Sequence, residues 1–223
     1  MTYLAAIFTL ALALVGPLAI AHFGRVREEE TESLFAKLFC QFFLAVLGVG
    51  SLWMMLHPLG FHPHTIGLIA PSSATFAWGS GIAAFFVLVA GPFLLRLPHW
   101  LGLQGFENTL SSLALLPPWY LVIAVVIGGT IEEILYRGVA LAILTSLGLD
   151  PLLAGLLVVA AFAIAHVPTW GVGPALTTAI SGAILTAFFL WHGDLLANII
   201  AHVATDFVGI ALAPCLAWLR AQK

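Results

Sequence analysis

Two adjacent carboxylates and a guanidinium sit inside one apolar run, Ile127-Gly128-Gly129-Thr130-Ile131-Glu132-Glu133-Ile134-Leu135-Tyr136-Arg137-Gly138. An ionisable side chain near the middle of a membrane helix costs about 2.5–3.5 kcal/mol on insertion scales, so a cluster of them points to function. Glu133 and Arg137 stand four residues apart, share a helix face and can pair. Glu132 is turned by about 100° from Glu133 on a helix, which leaves it for chemistry. Two later apolar runs repeat the one-turn spacing, Phe162 with His166 and His202 with Asp206. Carboxylates and imidazoles on facing helices are the groups that activate water and stabilise an oxyanion. The alternative for the acid pair is a structural ion-pair network. One acid bonded to Arg137 satisfies that reading and the second acid does not.

The elements that must hold these residues are membrane helices. The chain has 223 residues, 62% of them hydrophobic and 8% charged, against about 25% charged in soluble domains. The apolar runs are continuous and not alternating, which implies helices and excludes a β-barrel. With a net charge of −3 there is no basic patch for nucleic acid. Cys40 and Cys215 lie in separate apolar runs and imply neither a disulfide framework nor a metal cluster. The expected fold is an all-α, polytopic transmembrane bundle of about seven spans (six to eight), with a polar catalytic cavity among the last four. It forms one integrated membrane domain. Residues 1–117 are N-terminal helices and loops, and residues 118–219 are the part that carries the chemistry.

The runs are expected at about Thr2–Phe23, Leu34–Leu56, Ala74–Leu95, Trp119–Leu147, Pro151–Pro168, Ala175–Trp191 and Leu195–Leu219. The first reads as a retained helix kinked at Pro17, since no Lys or Arg precedes it as a signal peptide requires. Arg25 to Glu32 reads as a solvated loop, with Thr31 or Ser33 as a cap for the next helix. Leu97–Pro118 holds a short interfacial helix, and Trp170–Pro174 is a tight turn. Asp150 caps the fifth span, with Pro151 at its first position. Small residues at Gly128, Gly129, Ala140, Gly155, Ala161, Ala165 and Gly182 allow close helix contacts. Arg25, Arg27, Lys37, Arg96, Arg220 and Lys223 all fall on one side of the membrane, the cytoplasmic one by the positive-inside rule. Counting a rise of about 1.5 Å per residue from the turn at Gly148 places Glu132 and His166 at about 20–22 Å. On the same count His202 lies at only about 10–16 Å, unless the last helix tilts or begins deeper. The cavity is expected to open towards the Arg-rich side.

The ordered set Glu132-Glu133-xxx-Arg137, Phe162-xxx-His166 and His202-xxx-Asp206 resembles the type II CAAX prenyl endopeptidase family, the CPBP or Abi proteins. Ser181-Gly182-Ala183-Ile184-Leu185 and His192-Gly193-Asp194-Leu195 resemble the weaker segment between that family's second and last motifs. The resemblance covers about residues 118–210 and implies an intramembrane endopeptidase in a plasma membrane, or an inner membrane in a bacterium. It implies Glu132 as the general base, helped by His166, with His202 and Asp206 at the oxyanion. An ionised Asp206 cannot donate to an oxyanion, so its expected part is to orient His202. Glu133, Arg137 and Phe162 would be structural supports. The substrate would be a membrane protein or a lipidated peptide, met within the lipid bilayer. Glu132, His166 and His202 also match a zinc-type donor set, so a divalent metal is one alternative to a metal-free glutamate route. The other function classes are a non-catalytic scaffold or immunity protein of the same fold and a proton-coupled transporter. The scarcity of polar residues in the first three spans, beyond Lys37 and Gln41, disfavours transport.

Overall fold

A computed structural model describes residues 3–31 and 34–212. Among the described residues there are helices and no strand, as burial in lipid requires, because only internal hydrogen bonds can satisfy the backbone there. Seven stretches are long and apolar enough to cross a membrane: Tyr3–Gly24, Leu34–Leu56, Ser73–Trp100, Pro118–Ser146, Pro151–Trp170, Val172–His192 and Leu195–Leu212. The chain is an integral, multi-pass membrane protein. Expected positions 213–219 of the last span, with Cys215, Arg220 and Lys223, lie outside the described residues, as do Glu32 and Ser33.

Helix α1 (Tyr3–Thr31) carries Pro17 and continues through the charged segment that was expected to be a loop. From Arg25 to Thr31 there is no Gly or Pro, and Arg and Glu are strong helix formers, so polarity alone does not end the helix. Helix α2 (Leu34–Leu56) returns across the bundle. Helix α3 (Ser73–Phe85) starts at a reciprocal Ser72–Thr75 capping box. It passes through a π-helical turn, Phe86–Ala90, into α4 (Gly91–Leu94) and α5 (Leu97–Trp100). Helix α6 (Glu107–Leu113) is the short element expected before the fourth span. That span consists of α7 (Pro118–Glu133), a π-helical segment Ile134–Ala140 and α8 (Leu141–Ser146).

Helix α9 (Pro151–Trp170) is capped as expected, the Asp150 carboxylate accepting from the Leu152 and Leu153 amides at 2.9 and 3.3 Å. It runs two residues past Pro168, where the helix was expected to stop. The break falls instead on Gly171, whose φ of 86° is open to glycine. Helix α10 (Val172–His192) begins at once, so the expected Trp170–Pro174 turn shrinks to one residue. Helix α11 (Leu195–Asp206), capped by Asp194, leads into a final π-helical segment, Phe207–Leu212. Two of the three π-helical segments thus begin directly after the acids of the site, a placement often seen at functional positions.

The discrepancy in the depth of His202 is removed by where α11 begins. The loop after α2 turns inwards, Ile66 is fully buried, and the Gly67 carbonyl accepts from the Leu195 amide at 3.0 Å. A Cβ placed on Gly138 would lie 3.3 Å from Leu195 Cδ2 and 3.6 Å from the Ile66 carbonyl oxygen. Helix α11 therefore starts level with Gly138, deep in the bundle. Glu132 lies six residues back along its helix from that level and His202 seven along α11, about 9 and 10 Å, so the two meet.

Candidate active site

The two adjacent acids point to different environments. Glu133 is wholly buried, while the Glu132 side chain is 19% exposed to the cavity. Arg137, also wholly buried, donates from Nη1 to Glu133 Oε1 at 2.7 Å, from Nη2 to the Gly182 carbonyl at 2.9 Å, and from Nε to Thr186 Oγ1 at 3.2 Å. Its guanidinium lies 4.8 Å from the centre of the Phe162 ring, a cation–π contact. A Cβ on Gly182 would approach Phe162 Cδ1 to 2.7 Å, so only glycine lets α10 carry this carbonyl so near the α9 ring. Gly129 and Gly155 make similar close approaches, to Val203 and Thr186, whereas Gly128 faces open cavity and not a helix.

Glu133 also holds α11. It accepts from Asn198 Nδ2 at Oε2, 3.1 Å away, and from His202 Nδ1 at Oε1, 2.8 Å away. Asn198 Nδ2 donates a second time, to the Leu185 carbonyl at 2.9 Å. The expected Glu133–Arg137 pair is therefore the centre of a buried network joining α7, α10 and α11. Sequence reasoning missed Asn198 and Thr186. Asn198 stands one turn before His202, on the face that also carries Asp206, but that spacing alone does not mark it out from other helical residues.

The four expected chemical residues are brought together. His166 Nδ1 donates to the Phe162 carbonyl at 2.7 Å, which directs Nε2 to Glu132 Oε1 at 3.8 Å. His202 Nε2 stands 3.7 Å from Glu132 Oε2 and 3.4 Å from Asp206 Oδ2. The shorter contact orienting His202 is thus the one with Glu133, on the opposite ring nitrogen. Phe162 supports His166 through its carbonyl and through its ring, with centroids 4.7 Å apart, and also packs edge-on against Tyr136 at 5.1 Å.

Glu132, His166, His202 and Asp206 line a cavity of about 990 Å³. Its lining runs out to the Arg-rich ends of the helices, among them Gly24, Lys37, Leu95 and Trp170, and this end is taken as its mouth. The wall differs from expectation. The first three spans contribute as well as the last four, through residues such as Pro17, Leu44 and Phe86. Beside Gly105, which lines that end, the exposed Glu107 accepts from His99 Nε2 at 2.7 Å. Glu107's own backbone amide at the start of α6, and then His99, hold its carboxyl below the usual carboxylate range. Among the described residues no group of three or more His, Cys, Asp or Glu is placed to hold a metal ion.

No curated protein and no solved structure matched the chain. A family model did, over the stretch that contains every residue of this site and both of its helix junctions. Residues 114–208 match the model of the Rce1-like type II CAAX prenyl endopeptidase family.

Proposed function

We propose that the protein is an intramembrane endopeptidase in which Glu132 and His166 activate water and His202, supported by Asp206, stabilises the oxyanion. The observation that carries this reading is the approach of two imidazole Nε2 atoms to the two oxygens of one carboxylate, at 3.8 and 3.7 Å. These separations are too long for direct hydrogen bonds and suit a single water bonded to both partners. Glu132 takes the proton as the water oxygen attacks the scissile carbonyl and returns it to the leaving amine. The His166 Nδ1–H is committed to the Phe162 carbonyl, so its Nε2 is the acceptor that helps fix the water. The His202 Nδ1–H is committed to Glu133, so donation from Nε2 to the oxyanion uses the protonated ring, with Asp206 beside it as counter-charge.

The zinc-type set Glu132, His166 and His202 is the alternative, which this arrangement favours less. The two Nε2 atoms address different oxygens of Glu132, and the three side chains do not form a metal-holding group. The proposed route is metal-free. The substrate class is a membrane protein or a lipidated C-terminal peptide, entering the cavity from the Arg-rich side. The test is mass spectrometry of membranes from cells carrying wild-type protein or Glu132→Gln at matched expression. A C-terminal or juxtamembrane fragment that is lost only in the variant supports the reading and gives the cleavage position. Identical fragment patterns count against catalysis.

A further inference from the structure

Gln41 is a polar side chain that the catalytic reading leaves unused. It lies on α2 and lines the cavity, one turn further in than Lys37 and one turn nearer the mouth than Leu44. Its Oε1 is buried and has no hydrogen-bond partner among the described residues. A buried, unpartnered carboxamide oxygen costs about 1–3 kcal/mol, which calls for an explanation. Its setting supplies one. The walls beside it, at Leu44, Leu121, Ala124 and Val125, offer no hydrogen bonds from their side chains. A peptide threaded past them carries an N–H and a C=O at each residue that need partners. A carboxamide has a donor and an acceptor in the same spacing as a peptide group and can pair with one.

The packing of α2 gives the register. A Cβ on Gly48 would lie 2.5 Å from Ile131 Cγ2, so Gly48 is level with the residue next to Glu132. Gln41 is seven residues from Gly48 along α2, about 10 Å towards the mouth, or about three residues of extended peptide. We propose that Gln41 is a substrate-positioning residue that pairs with one main-chain amide of the bound peptide, about three residues from the scissile bond on the mouth side. It acts by holding the chain in line with Glu132 and takes no part in bond cleavage. This inference rests on the protease reading of the cavity.

The test uses full-length protein in liposomes and a fluorescent prenylated CAAX-type peptide, with Kd and cleavage kinetics measured separately. Gln41→Leu keeps the side-chain volume and removes both hydrogen-bonding groups. It is expected to raise Kd and KM about tenfold, with kcat nearly unchanged and a melting temperature equal to or above that of wild type. Peptides with single amide-to-ester replacements locate the contact. Wild type is expected to lose affinity at one position on the mouth side, and Gln41→Leu to be indifferent to the ester there. Equal Kd and KM in the two proteins, the same ester sensitivity in both, or no binding of the peptide by wild type overturns the proposal. Glu132→Gln, run in parallel, separates the two claims. Loss of cleavage with binding retained supports the catalytic reading, whereas cleavage that persists refutes it and leaves the binding results on Gln41 to be judged by themselves.

Discussion

The two faces of α7 at Glu132 and Glu133 each carry one glutamate and differ in how fully it is bonded. On the Glu133 side, Arg137, Asn198 and His202 Nδ1 close around the carboxylate at 2.7–3.1 Å, Thr186 accepts from Arg137, and nothing reaches solvent beyond the edge of His202. On the Glu132 side, His166 and His202 stand at 3.8 and 3.7 Å from a carboxylate open to the cavity, with Asp206 3.4 Å from His202. A satisfied network rigidifies, and an under-bonded one has capacity left for a water and a substrate. His202 belongs to both faces. Its Nδ1 is fixed by the buried side, so that its Nε2 can serve the open side. On the proposed reading, folding falls to one acid and chemistry to its neighbour.

Breaking the closed side is expected to be the most damaging change to the molecule. Arg137→Met leaves the buried Glu133 carboxylate without its cation and should cost about 3–5 kcal/mol of stability, read as a large loss of thermal stability in detergent. On the open side, His166→Ala should lower kcat by about 10²–10⁴ with the melting temperature unchanged, since the ring packs at the cavity edge. A variant that melts early in place of turning over slowly would erase the proposed division. Asn198→Ala leaves Glu133 Oε2 and the Leu185 carbonyl short of a donor, at about 1–3 kcal/mol, and should loosen His202 enough to lower activity as well. The smallest effect is expected from metal removal. Incubation of the purified protein with chelators should leave turnover unchanged, and recovery on adding zinc to a chelated, inactive sample would replace the metal-free route.

Much of this division was legible in the sequence. The spacing of Glu133 and Arg137 fixed their shared face, and the one-turn pairs Phe162–His166 and His202–Asp206 marked the other two helices of the site. Three features were not legible. The depth of His202 depends on the loop around Ile66 folding inwards to meet Leu195, a tertiary contact with no local signature. Asn198 is ordinary as a single helical residue and gains its part only when α11 lies against Glu133. The cavity wall contributed by α1 and α2 is apolar apart from Lys37 and Gln41, so its composition did little to distinguish a cavity-facing side from a lipid-facing one. The boundaries at Thr31 and Gly171 moved because charge does not end a helix and a single glycine can.

The central claim is that Glu132, and not Glu133, is the chemical acid. It is tested most directly by reconstituting wild type, Glu132→Gln and Glu133→Gln in liposomes and measuring cleavage of a prenylated CAAX-type peptide together with thermal unfolding. The account predicts that Glu132→Gln unfolds like wild type and loses at least about 10²-fold in kcat, while Glu133→Gln unfolds at a distinctly lower temperature. A Glu132→Gln protein that cleaves at the wild-type rate would contradict it.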